Sequence, residues 1–395
     1  MCSKSVHILE NCSYPVDGEE EGYGEKRICT DCYRHGNPHH FRSLVELSSK
    51  ENWRDLASSP KRKRASFLEK NPNFSIEDST TGRGPAVLKV MKNGTRMKAI
   101  KYGDRYLQLQ STCAFDAIVH ALTAAFNDSK LYNQFVEQHS SDFPLFDLVQ
   151  KLGSGLISNA CYTIRASILY NSMSRIGMLH GSVEDVVCDK PIASMVDTLL
   201  RETPTTLENR SCSSSFCPRQ RRRIANGAIP LESTAFDSPQ ALTDSLPIGD
   251  ADTCSASIPN HSPVPGPYFK FGLDGSRLCN GVETCEIVWG KHIFIDVVPE
   301  LRAGVSSANF PGHCYEDRGL VELSTFPRSF YISNTAYHLR AIFAFTPPHG
   351  EGMGHYSAVC LRSDGRWEEL DDLKDASVFV NSAKKVLAHM IMYTV

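Results

Sequence analysis

The order of apolar patterns along this chain limits its fold before any single residue is considered. Phe115, Ile118, Val119 and Leu122 recur at i, i+3, i+4 and i+7, the spacing of an amphipathic helix. Helical pattern continues through about 131–152, 159–178 and 183–202. Strand signals dominate afterwards, at Glu286–Trp289, Ile293–Val298, Leu320–Leu323 and Leu339–Phe345, then at His355–Arg362, Arg366–Leu370, Ser377–Val380 and Ala388–Tyr393. Helices first and strands later, with no βαβ alternation and no internal repeat, specify an α+β fold rather than a doubly wound sheet.

At 395 residues the chain exceeds one ordinary domain, and its 41% hydrophobic residues supply a core. A net charge of -3 gives no global attraction for nucleic acid, so any basic function must be local. No apolar run approaches membrane-spanning length, and Met1-Cys2-Ser3-Lys4 lacks the core of a signal peptide. The expectation is an intracellular protein, nuclear or cytoplasmic, away from membranes and with reduced thiols. Fourteen cysteines in such a compartment point to metal binding or catalysis before disulfides.

Three regions are expected. Residues 1–60 form a Cys/His-rich module, in which Cys29 and Cys32, followed by His35, His39 and His40 and preceded by Cys12, make a zinc-ligand set. Residues 61–100 begin with the solvated tetrad Lys61-Arg62-Lys63-Arg64, readable as a nuclear-import signal or a weak nucleic-acid contact. A breaker-rich linker follows, then a leading β-hairpin around Asn93-Gly94. Residues 101–395 form the main folded domain, interrupted at about 203–265 by a Ser-, Pro- and Arg-rich stretch that reads as a mobile surface insertion.

Chemistry concentrates at two places about 240 residues apart. Cys113 stands where the first helix begins, and a thiol there meets unsatisfied N–H groups and the positive end of the helix dipole, both of which favour thiolate. Gln108, Gln110, Ser111 and Thr112 lead into it, and a side-chain amide just upstream can join the Cys113 N–H in an oxyanion hole. Far downstream, His355 opens an alternating strand after a glycine-rich loop. A hairpin at Ser363-Asp364-Gly365-Arg366 brings Asp371-Asp372 back beside it. A two-residue turn would put Asp372 on the histidine's face, and one bulge would put Asp371 there. Either carboxylate would hold the imidazole in the tautomer that deprotonates the thiol, by accepting its Nδ1 proton.

Gln108 to Asp116 resembles the cysteine box of the ubiquitin-specific proteases, a papain-like family. Tyr337 to Ile342, with Gly354-His355-Tyr356-Ser357-Ala358 and Trp367-Glu368-Glu369-Leu370-Asp371-Asp372, is similar to their histidine box. The resemblance implies a thumb-palm-fingers hand, with a helical lobe carrying the nucleophile and an antiparallel sheet carrying the histidine and aspartate. It implies Cys113 as nucleophile, His355 as general base, Asp371 as the orienting residue and Gln108 at the oxyanion. No catalytic cofactor is implied, and the partner is ubiquitin or a ubiquitinated protein. The family's cysteine box usually reads Asn-x-Gly-Asn-Thr-Cys with a trailing Asn. Here Gln108, Gln110, Ser111 and Asp116 stand at the four divergent places, as in lineage-specific or mobile-element-associated relatives. Those departures motivate a second reading, an impaired relative that binds ubiquitin or nucleic acid. The family's finger zinc maps onto Cys212, Cys217, Cys279 and Cys285 as a structural site.

Overall fold

The computed structural model describes residues 86–173, 183–258, 276–298, 319–348 and 353–395, with short strands at 13–15, 27–29, 179–180 and 269–271. The chain divides into two units, Met1–Glu77 and Asp78–Val395. In the first, β1 (Ser13–Pro15) pairs antiparallel with β2 (Arg27–Cys29), Cys29 lying opposite Ser13. Cys12, Cys32, His35, His39, His40 and the tetrad Lys61–Arg64 lie outside the described residues.

The second unit begins with a small sheet of β3 (Ile100–Tyr102), β4 (Arg105–Gln110), β5 (Leu179–His180) and β6 (Val183–Val187), in the order β3-β4-β6-β5. Between β4 and β5 comes a helical lobe of α1 (Cys113–Asp128), α2 (Lys130–His139), α3 (Pro144–Gly153) and α4 (Asn159–Ser172); α5 (Ile192–Leu199) follows β6. A second four-stranded sheet holds β7 (Thr206–Cys212), β8 (Arg221–Asn226), β10 (Ala251–Thr253) and β13 (Val282–Trp289), ordered β10-β13-β7-β8. Two further segments, β11 (Phe269–Phe271) and β12 (Arg277–Cys279), pair with each other.

The largest sheet runs β20-β19-β18-β17-β22-β14-β9 with β16 on β17. Its strands are β9 (Ala228–Glu232), β14 (His292–Val298), β16 (Ser329–Ile332), β17 (Thr335–Thr346), β18 (His355–Leu361), β19 (Trp367–Leu370), β20 (Val378–Val380) and β22 (Ala388–Thr394). All pairings are antiparallel except β9 with β14. The pair β15 (Val321–Glu322) and β21 (Lys385–Val386) and the helix α6 (Pro239–Ser245) complete the described strands and α-helices. The architecture is α+β, a helical lobe with Cys113 against a mainly antiparallel sheet with His355 and Asp371.

Apolar side chains explain the layering. Phe294, Phe343, Ala358, Met390 and Met392 face the helical lobe, while Ile293, Ile342, Val359, Ile391 and Tyr393 alternate onto the opposite face, as the two-residue period of strands requires. Both faces of β18 and β22 are therefore covered. Helix α1 is buried from Ala114 to Phe126, because α3 and the sheet pack on it from different sides. Ala117, Ala121, Ala124 and Ala125 let those neighbours approach.

Three expectations change. Residues 87–100 are not a hairpin: Gly94–Arg96 is one 3-10 turn, and the first hairpin is β3–β4 around Gly103, whose φ is +59°. The pattern at 183–202 splits into strand β6 and helix α5. The stretch 203–265 builds β7, β8, β9, α6 and β10 within its described part. Arg221, Arg222 and Arg223 sit in strand β8, Arg222 being paired with Glu283 across the sheet.

Candidate active site

The loop leading into Cys113 is built by a turn that belongs to neither half of the candidate site. Thr112 precedes α1, and its hydroxyl accepts the Gly94 N–H at 2.8 Å while donating to Asp116 Oδ2 at 2.5 Å. Ser111 has a φ of +57°, a left-handed conformation that costs an L-residue roughly 1–2 kcal/mol. Its N–H is held by Thr95 Oγ1 at 3.0 Å. Gly94 admits this close approach, since a Cβ there would lie 2.8 Å from both Leu109 Cβ and Thr112 Cγ2. Asn93 reaches the other way: its N–H donates to the Asp372 carbonyl at 3.0 Å and its Nδ2 to Asp372 Oδ2 at 2.7 Å. Sequence reading missed Asn93, because Asn-Gly signals a hairpin and its actual partners lie 18 and 279 residues away.

The turn between β18 and β19 decides which carboxylate meets the histidine. Ala358 pairs with Leu370 and Leu361 with Trp367. Arg362 then pairs with Arg366, and the three-residue loop contains Gly365 at φ +83°. That register puts Asp371 on the His355 face, where Oδ1 lies 2.8 Å from Nε2; Asp372 Oδ1 lies 3.6 Å from the same atom. The nitrogen engaged is thus Nε2, not the Nδ1 of the sequence-based expectation.

Burial and charge set the protonation of the site. Desolvation pushes the Cys113 thiol up to about 11, with Asp372 and Asp116 adding to the rise; the N–H groups of Tyr356 and Ala114 oppose it. A thiolate favoured by the helix start is therefore not what this environment produces. Burial also raises Asp371, but hydrogen bonds from His355 and the Leu373 N–H, the His355 charge and Lys374 outweigh it and hold this carboxyl well below the usual range. Asp372 goes the other way, to about 9, through burial and the neighbouring Asp116. Asp116 itself is fully buried against Arg165, at 2.9 Å, and Arg165 also donates to the Lys92 carbonyl.

Gln108 Nε2 donates to the carbonyls of Gly94, Met97 and Leu109 at 3.1–3.3 Å. Its side-chain N–H groups are directed to the turn, which Gln108 braces. Gly354 accommodates a ring, since any Cβ would overlap Phe345, which stacks on His389.

A second cluster lies in the four-stranded sheet region. Cys212, Cys217, Cys254 and Cys279 are buried, with sulfurs within 4.8 Å of one another. The Cys212–Cys279 and Cys217–Cys254 separations are 3.6 and 3.7 Å, close to the ~3.8 Å expected for tetrahedral zinc with ~2.3 Å bonds. Backbone N–H groups of Arg219 and Gly281 point at the Cys217 and Cys279 sulfurs, which stabilises thiolates. The donor set fits zinc. Cys285 is corrected out of it: six residues past Cys279, it lies within β13 opposite Arg210, with its sulfur 4.0 Å from Glu208. The fourth ligand position belongs to Cys254, whose N–H donates to the Gly281 carbonyl.

No family model matches the chain. The 120.7 kDa protein of the NOF-FB transposable element of Drosophila melanogaster is 24% identical over 346 residues. That match covers 86% of this chain but 30% of the relative, so the chain spans under a third of its length. Among solved structures, the Ubp8-Sgf11-Sgf73-Sus1 SAGA DUB module is similar at TM-score 0.36 and 11% identity, over 93% of this chain and 77% of that one. The Saccharomyces cerevisiae PAN2 pseudoubiquitin-hydrolase gives 0.39 and 10%, over 74% and 88%. Among the described residues no helix is long and apolar enough to cross a membrane.

Proposed function

We propose that this chain is a thiol hydrolase that cleaves isopeptide or peptide bonds after the C-terminal glycine of ubiquitin. The observation that carries the reading is the His355 Nε2–Asp371 bond of 2.8 Å beside a thiol that lies against the N–H of Tyr356, the residue after that histidine. With Nε2–H held by Asp371, His355 Nδ1 takes the Cys113 proton as the sulfur attacks the carbonyl carbon. The C–N bond then breaks, the imidazolium returns its proton to the leaving amine, and water hydrolyses the thioester by the same base. The Cys113 N–H is the candidate oxyanion donor. The similarity of Gly354-His355-Tyr356 and Trp367 to Asp372 to the histidine box of ubiquitin-specific proteases supplies the substrate class. The four thiols Cys212, Cys217, Cys254 and Cys279 hold a structural zinc ion in this reading, apart from the chemistry.

A second reading, a ubiquitin-binding relative with impaired catalysis, is favoured by the buried thiol at about 11 and by Asp116 at the trailing position. A ubiquitin probe with a C-terminal electrophile separates the two. Labelling of the wild type that disappears in Cys113→Ala is expected of the hydrolase. Binding of ubiquitin without labelling would instead establish the impaired relative.

A further inference from the structure

Asp372 carries a buried oxygen with no role in the proposed reaction. The residue is 3% exposed, and its Oδ2 accepts from Asn93 while Oδ1 has no hydrogen-bond partner. A buried polar oxygen left without a partner is costly. Oδ1 lies 3.6 Å from His355 Nε2, and Asp371 Oδ1 lies 2.8 Å from the same nitrogen. One donor atom from each of the three residues falls within 4.8 Å of the other two. Ligands around an ion with bonds of ~2.1 Å are separated by about 3.0 Å (octahedral) to 3.4 Å (tetrahedral). The two observed spacings bracket that range.

The surroundings of the three groups are acidic as well. Asp116 stands beside Asp371 and Asp372, and the buried guanidinium of Arg165 is engaged with Asp116. Lys374 contacts Asp371 from a half-exposed position. One imidazole nitrogen and two carboxylates form a donor set suited to zinc and related divalent ions.

We propose that His355, Asp371 and Asp372 form a divalent transition-metal site, with zinc as its probe, whose occupation disables the base of the thiol. The ion takes the Nε2 lone pair. The Nε2 proton leaves to water and Nδ1 takes one up, so the ring remains a neutral tautomer and no electron is transferred. Nδ1 then holds a proton and cannot accept that of Cys113. This inhibitory consequence rests on the proposed hydrolase reading; the binding does not.

Zinc titration of the full chain by calorimetry tests the site directly, comparing wild type with Cys113→Ser, Asp372→Asn and His355→Gln. Wild type and Cys113→Ser are expected to bind one more zinc per chain than Asp372→Asn and His355→Gln, or to bind it at least about tenfold more tightly. Taking the difference between variants cancels any zinc held elsewhere. Equal isotherms in all four proteins would overturn the site, and loss in Cys113→Ser would transfer the ion to the thiol and overturn it equally. Should Asp372→Asn unfold by thermal scan, His355→Gln decides, because that side chain is 20% exposed. In parallel, hydrolysis of a fluorogenic ubiquitin ester should fall over the same zinc range and return with chelator. The extra zinc bound by a chain that hydrolyses nothing would support the site and count against the hydrolase reading alone.

Discussion

A thiol gains about 0.3–1 kcal/mol from a helix start when it ionises, and Cys113 loses more than that to burial and two neighbouring carboxylates. Its resting form is the neutral thiol, with a pKa of about 11 against an ordinary 9, which leaves roughly a hundredth of the thiolate of a free cysteine at neutral pH. Iodoacetamide should therefore modify Cys113 slowly at pH 7 and faster as pH rises past 9. A rate at pH 6–7 above that of free cysteine would indicate a preformed ion pair and contradict this. Asn93 makes a second residue-scale test. Asn93→Ala removes the bond to Asp372 Oδ2 and loosens the turn that carries Gly94 and Thr95. Turnover on a ubiquitin substrate should drop by roughly 10- to 100-fold, with melting temperature changed by only a few degrees. Asp372, by contrast, works against stability at neutral pH. Its carboxyl ionises near 4 when unfolded and near 9 when folded, so its contribution is full below about 4 and fades as pH rises towards 9. Asp372→Asn should flatten that decline in denaturant titrations run at pH 5, 7 and 9.

Elements show where the sequence was readable. The strand runs from Glu286 to Tyr393 and the start of α1 were legible because periodicity reports burial directly, and β18 and β22 are paired and covered on both sides. The β18–β19 turn was legible as a turn but not in its length. Spacing allowed two or three loop residues, and only Gly365 in the left-handed region shifts the register to favour Asp371. Asn93-Gly94 misled because local turn chemistry does not reveal a partner 279 residues away. The thiol cluster was half legible: Cys212, Cys217 and Cys279 were expected, but Cys254 enters through the pairing of β10 with β13, which no cysteine spacing encodes. Zinc content measured by mass spectrometry should therefore fall by about one ion per chain in Cys254→Ser and stay unchanged in Cys285→Ser; the opposite pattern would restore Cys285 as the ligand.

Across the whole molecule, buried titratable groups tie the two layers together. His120 accepts the Met91 N–H, and His292 sits between Tyr132 and the Thr203 carbonyl. Burial lowers both to about 4. Each adds stability that is complete above pH 6.5 and lost as pH falls towards 4, at most about 3 kcal/mol apiece. His120→Gln should blunt acid unfolding between pH 6.5 and 4 even if it lowers stability at pH 7. Arg362 is the larger clasp, buried between Asp128 of α1 and Glu368 of β19. Arg362→Leu strands two buried carboxylates and should cost about 3–5 kcal/mol in chemical denaturation. The Asn93 turn has a kinetic meaning as well. Thiol and base come from opposite ends of the second unit, and the bond that registers them spans 279 residues, among the most expensive loops for a folding chain to close. Activity on refolding should appear with the slowest phase, well after helical circular dichroism has recovered. A chain still emerging from the ribosome would carry its thiol long before it had a base to arm it.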